Sequence, residues 1–439
     1  IRRAFGETDR IAQQQGRQAG RSFSGAFGTS LKTAGAIAGA AGGFAAVTAA
    51  MRSSIGAGMD FTSALNTLQA VSGATAQQVA EVGRRARELG TDSQLASTSS
   101  IDAANAMLEL AKGGFTVEQS MQAARGTLQL AAAAQISAGE AATIQSQALQ
   151  AFGKDASYAG KTADILANSA NASSAEITDV AQALQQSGTV ANQFGLSMTD
   201  TAAAISMMAN AGIQGSDAGT LLKSALLALT DGGQPAQTAI EQLGLSVYDA
   251  NGKFAGMETL FGELHAASKR MTPEMYQAAT ATLFGSDAMR LSGIAAQQGA
   301  EGFVSMRAAM DRTGSAADVA AAKMQGLPGA WEKLKNSAQD AGLAFYDVVD
   351  GPLTTAANKA ADVLGDLVSD AEDAGKGVRD AFDDARVQSF LDSVKNDGAS
   401  AFAGITAAAT GFAPILEQNL QSAATIAGAL GVSTWTVLI

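Results

Sequence analysis

An all-α fold is predicted: a compact multi-helix domain with one very short β-hairpin, flanked by long apolar helices. Three observations predict it. Ser or Thr is followed three residues later by Gln or Glu at Thr75/Gln78, Thr116/Gln119, Ser137/Glu140 and Ser173/Glu176. That spacing suits a capping box, in which two free backbone amides are satisfied reciprocally. Bulky apolar residues precede glycine at Leu89-Gly90, Phe152-Gly153, Phe194-Gly195, Leu243-Gly244 and Phe284-Gly285, and glycine takes a left-handed helix end at little cost. Thr272-Pro273-Glu274 adds proline at a first helical position.

In chain order, residues 1–52 begin basic, with Arg2, Arg3, Arg10, Arg17, Arg21, Lys32 and Arg52 against Glu7 and Asp9. Residues 33–51 are uncharged, and Gly35, Gly39 and Gly43 recur every four residues. This spacing lets two helix backbones approach closely. The length also suits a membrane span, although Ala and Gly contribute little to insertion, so tight helix packing is the favoured reading. Residues 53–325 read as a succession of short helices, the core domain. Within it Asp249-Ala250-Asn251-Gly252 suits a tight hairpin turn between Leu245–Tyr248 and Lys253-Phe254.

Residues 326–365 carry Trp331, Leu334, Leu343, Phe345 and Val348 at roughly helical spacing, interrupted at Gly351-Pro352. Residues 366–397 are acidic and read as a solvated helix or linker. Residues 398–439 hold Glu417 as their one charge and read either as a buried helical bundle or as a membrane span. The chain starts on Ile1 and stops on Val437-Leu438-Ile439 within an apolar run, so it reads as a piece of a longer protein.

Composition narrows the function. The chain has 439 residues, 5% aromatic and 16% charged, with 48 glycines and no cysteine. Disulfides and thiolate metal sites are therefore impossible. Few bulky side chains per residue imply thin contacts between small-residue helices and burial against partner copies. Net charge is −12, and a chain this acidic is repelled by phosphate backbones, which argues against stable nucleic-acid binding.

No catalytic, cofactor or metal constellation emerges. The usual zinc peptidases need at least two histidine ligands, and His265 stands alone in the sequence. Gly160-Lys161-Thr162 echoes the end of a P-loop, but Asp155 stands where glycine is required. Asp249, Asn251 and Gly252 lack the spacing and closing Glu of a calcium loop. Asp383-Asp384 are adjacent and point apart on a helix. A buried lone Glu of lysozyme type is the remaining enzymatic route.

The richest stretch runs from Asn210 to Gly232, NAGIQGSDAGTLLKSALLALTDG. It reads as a helix end, a glycine turn through Gly212 and Gly215, and a second helix whose Leu221, Leu222, Leu226 and Leu229 face inward. Ser216 or Asp217 is the expected cap of that helix. This stretch, with LGLSVYDANGKF (243–254), ATLFGSDAM (281–289) and GLPGAWEKLKNSAQDAGLAF (326–345) in the same order, resembles the core region of tailed-phage tape measure proteins of the TP901-like family.

The resemblance covers roughly residues 53–364. It implies a structural, non-enzymatic protein of the virion, inside the tail tube, which templates tube assembly and length and is released on infection. Partners it implies are a homo-oligomer (trimer first, hexamer second), tail tube and tail tip or baseplate proteins, tail assembly chaperones and the host membrane. Structural roles fall to Gly35, Gly39 and Gly43 for helix approach and to Gly212, Gly215 and Gly219 for the signature turn. Asn251, Gly252 and Gly285 serve further turns, and Trp331 and Leu334 serve packing. Two other classes stay open, a membrane-active or pore-forming protein and a cell-wall hydrolase.

Overall fold

A computed structural model describes residues 43–326 apart from Ala96, together with interspersed positions from 329 to 358. Two units are distinguished along the chain, 1–56 and 57–439. The expectations for Gly35, Gly39, Leu334, the acidic 366–397 and the apolar 398–439 lie outside the described residues.

Among the described residues to 326, thirteen α-helices follow one another. They are α1 (Gly43–Ser72), α2 (Ala76–Gly90), α3 (Ser100–Lys112), α4 (Val117–Ala134), α5 (Ala138–Ala151), α6 (Ala159–Ala172) and α7 (Ile177–Gln193). There follow α8 (Met198–Asn210), α9 (Gly215–Ala228), α10 (Gln234–Leu243), α11 (Met257–Arg270), α12 (Pro273–Met310) and α13 (Ser315–Lys323). Short 3₁₀ turns sit at Ser93–Leu95 and Ala156–Tyr158.

One connector recurs along this series. A helix ends, one residue takes the left-handed conformation, and the next, often apolar, donates its N–H to the carbonyl five residues back. Phe115 N–H reaches Leu110 O at 3.2 Å, Leu196 reaches Ala191 at 2.9 Å, Ile213 reaches Met208 at 2.9 Å and Leu245 reaches Ile240 at 3.0 Å. This is a Schellman end with its apolar follower. In several cases a Ser or Thr then caps the next helix at once, as at Thr116, Ser137 and Ser197. Chain reversal at these capped connectors therefore takes three or four residues, and the apolar follower is buried at Phe115, Leu196, Ile213 and Leu245. The left-handed residue is glycine at 114, 153, 195, 212 and 244, and Gln135 at the end of α4.

Short connectors force alternate helices into neighbouring positions. α3 packs on α5, α5 on α7 and α7 on α9, while α4 packs on α6 and α6 on α8. The chain then returns: α12 covers α6, α8 and α9, and α13 covers α4 and α6. The layer α4–α6–α8 is thus enclosed from two sides. In α8 every residue is buried except Asp200 and Asn210, and a helix covered all round must be apolar or small all round. Its sequence, MTDTAAAISMMAN, meets that demand.

Several local expectations change. Thr75 and Thr116 form full capping boxes. Ser137 accepts the Glu140 amide without a returned bond. Ser173 caps no start: it ends α6, and Glu176 with Asp179 forms the box of α7. The β-hairpin shrinks to one antiparallel bridge between Tyr248 and Phe254, with no strand among the described residues. The Asp249 carboxylate accepts the amides of Asn251 (2.8 Å) and Lys253 (2.9 Å), so the turn is tight. Pairing stops there because α11 begins at Met257 and Phe254 turns inward, edge-on to Phe194.

No helix among the described residues is long and apolar enough to cross a membrane. Of the apolar segment 33–51, α1 carries 43–51, and residues 33–42 lie outside the described residues.

Candidate functional site

Asn210 to Gly232 carries the longest signature, and its side chains clasp two turns together. Gly212 (φ 82°) and Gly215 (φ 58°) make the reversal. The helix starts at Gly215, earlier than the sequence suggested, with Gln214 at its cap and no side chain capping it. Ser216 and Asp217 therefore do not cap α9. The Gln214 amide instead donates to Ser174 O at 2.8 Å and Ser174 Oγ at 3.1 Å. Asn210 Oδ1 accepts the Ser174 amide at 3.0 Å, and Ser174 Oγ donates to Ala209 O at 2.7 Å. The α8–α9 turn is bolted to the α6–α7 turn.

Behind the clasp, Leu221, Leu222, Leu226 and Leu229 are buried as expected. Gly219 does more than serve the turn. A Cβ there would meet Ala183 Cα at 2.8 Å and collide with the Ala183 carbonyl oxygen and Gln186. The backbones of α7 and α9 thus touch, which any side chain at 219 would prevent. A second contact of this kind joins α4 to the start of α6 at Gly126, 2.7 Å from Gly160 N by the same measure. The sequence reading missed Gly126. The available signal was weak, a glycine inside an otherwise helical run, which usually has a packing reason.

The motif Gly-Ser-Asp occurs twice in the signatures, at 215–217 and 285–287. Both glycines take positive φ, and Arg290 ties the two together. Its guanidinium donates to both Asp217 carboxylate oxygens, at 3.0 and 3.1 Å, and its Nε to Asp287 O at 3.2 Å. Hydrogen bonding to Asp217 raises the Arg290 pKa. The pair is largely exposed, so it orients more than it stabilises.

The remaining assigned residues are dispersed. Gly43 opens α1. Asn251 and Gly252 (φ 73°) lie in the Asp249 turn. Gly285 interrupts α12 with φ 73° and ψ 175°. Trp331 is 50% exposed, so packing of its ring is partial. Leu343, not among the assigned residues, is 1% exposed within a second cluster built from α1 to α5 and the start of α6.

His265 is a packing contact: Nδ1 lies 2.7 Å from Ala296 O. Among the described residues no group of His, Asp and Glu could hold a metal ion. A groove of about 860 Å³ runs between α10 and the start of α12, lined by Gln234, Thr238, Gln242, Met275 and Thr282. Its one charge, Arg270, already donates to Leu243 O at 3.1 Å and so closes the end of α10. The groove lacks converging catalytic groups.

Residues 83–285 match the family described as phage-related minor tail protein. Over 298 residues, 67% of this chain, the sequence is 34% identical to the tape measure protein of Pneumococcus phage Dp-1. The core region is similar to that of phage tail tape measure proteins. Similarity also extends over 302 residues, at 26% identity, to the probable tape measure protein of Escherichia phage P2. The chain spans 25% and 37% of the length of these tape measure relatives. No solved structure matches it. The clasp and both Gly-Ser-Asp motifs fall within or at the edge of the family match, which ends at Gly285.

Proposed function

We propose that the chain is the folded core of a tape measure protein, a structural component of a long phage tail. It resides in the tube lumen, tube subunits assemble around the whole protein, and the whole protein leaves the tube on infection. The observation that supports this reading is the similarity to two tape measure proteins across two-thirds of the chain. The fold fits a structural role, since its signature residues hold turns and helix contacts rather than reactants. Length setting belongs largely to helical sequence outside this core, because an extended helix advances about 1.5 Å per residue. Copies assemble about the tube axis, a trimer before a hexamer, and bind tail tip proteins and assembly chaperones.

The test uses the phage that encodes the chain. An amber mutation at the Gln119 codon is grown with and without a suppressor, and particles are imaged by electron microscopy. Heads without tails, or tubes of irregular length, are expected without suppression. Tails of normal, uniform length would contradict the proposal.

A further inference from the structure

We propose that α12 is a jack-knife, folded shut about Gly285 and able to open into one continuous helix. Only Gly285 and Gly299 in Pro273–Met310 depart from helical angles. The two breaks differ in kind. Across Gly299, α11 keeps one antiparallel register: His265 faces Ala296, Gly262 faces Ala300 and Phe261 faces Phe303. Gly299 is therefore a bend. At Gly285 the chain reverses, because the Tyr276 hydroxyl donates to Ser292 O at 2.8 Å. Sixteen residues of unbroken helix would separate those positions by about 24 Å.

Four observations make Gly285 a hinge. A Cβ at 285 would meet nothing within 4 Å, so its backbone angles, not packing, require glycine. Glycine adopts helical angles as well as the reversed ones, and the flanking residues of α12 already do so. The shut form is held across the hinge by the Tyr276–Ser292 bond. The first arm, 273–284, borders the open groove of about 860 Å³ and leaves Met275 57% exposed, so one side of it is thinly packed. Opening keeps the helical hydrogen bonds and exchanges the contacts of one arm for added length. This reading rests on geometry alone and stands independently of the tail assignment.

The chain has no cysteine, so a Gln277→Cys, Gln297→Cys pair carries two unique spin labels at exposed positions. Pulsed electron resonance should show a main separation of about 15 Å for the shut form and a second near 30 Å for the open one. Alanine strains the reversed backbone, so Gly285→Ala in the labelled chain should enlarge the longer population roughly tenfold. Tyr276→Phe, which removes the bond across the hinge and leaves the glycine in place, should enlarge it less. A single short distance in the labelled parent, in Gly285→Ala and in Tyr276→Phe would overturn the proposal. Should Gly285→Ala fail to fold, Tyr276→Phe decides: a longer population supports the hinge, and an unchanged short distance refutes it.

Discussion

The helices from α4 to α9 and those from α10 to α12 use similar residues to opposite ends. In the first region, short connectors put alternate helices in contact, and glycine or alanine at crossings brings backbones together, as at Gly219 on Ala183. Burial is nearly complete in α8, which has two residues that are not buried. In the second region, glycine breaks a long helix, a groove of about 860 Å³ stays open, and Met275 stands exposed. Glycine inside a crossing tightens a stack, whereas glycine inside a long helix makes a joint. Residue type alone does not separate the two; the facing element does.

The strongest way to break this contrast is Gly219→Leu. A side chain must push α7 and α9 apart, and overpacking of this kind costs about 3 kcal/mol, read as a lower urea midpoint. The same change at Gly293 in α12, where the Cβ position is open, should cost little. Equal losses at both sites would dissolve the distinction.

A second comparison lies within the connectors. Gly195→Ala and Gly212→Ala force an L side chain into left-handed angles and should each cost about 1–2 kcal/mol. Gln135 already bears that strain at φ 58°, so Gln135→Gly should leave stability unchanged or raise it by up to about 1 kcal/mol. Ser197→Ala removes a cap bonded to Asp200 N at 3.0 Å and should cost about 1 kcal/mol. Thermal unfolding of the four variants orders them.

The pH dependence sharpens the comparison at Asp340, which accepts a hydrogen bond from Ser100 at the start of α3 (2.6 Å). Burial raises the Asp340 pKa, opposed by its hydrogen bond from Ser100 and by Arg87. The folded state then binds this proton more tightly than the unfolded one. Its stabilising effect is present below the ordinary carboxylate range and fades as pH rises through the raised folded pKa. Asp340→Asn should flatten that decline and stabilise the chain at neutral pH relative to acid. A parallel, unshifted pH profile would show that Asp340 is solvated. The smallest effect belongs to Asp217→Asn, at most about 1 kcal/mol for an exposed pair.

Much of this fold was legible in the sequence. Capping boxes at Thr75 and Thr116, glycine ends at Phe152-Gly153, Phe194-Gly195 and Leu243-Gly244, and the inward leucines of α9 are local features, and local features are written in short windows. The hairpin was overread because Asp249–Gly252 specifies a turn and says nothing of how far pairing continues. Ser173 misled because the true box, Glu176 with Asp179, overlaps its spacing. The roles of Gly126 and Gly219 and the Asp217–Arg290 link were not legible, since each depends on a residue tens of positions away. So does the reversal at Gly285: its glycine suggested a helix end, but its fold-back is set by Ser292 and α11.

Hydrogen exchange read by mass spectrometry tests the central contrast most directly. Peptides from 117–210 should exchange only with global unfolding, while those from 273–284 exchange earlier, through opening of the arm. Equal protection in both regions, or earlier exchange in α8 than in 273–284, would contradict the account.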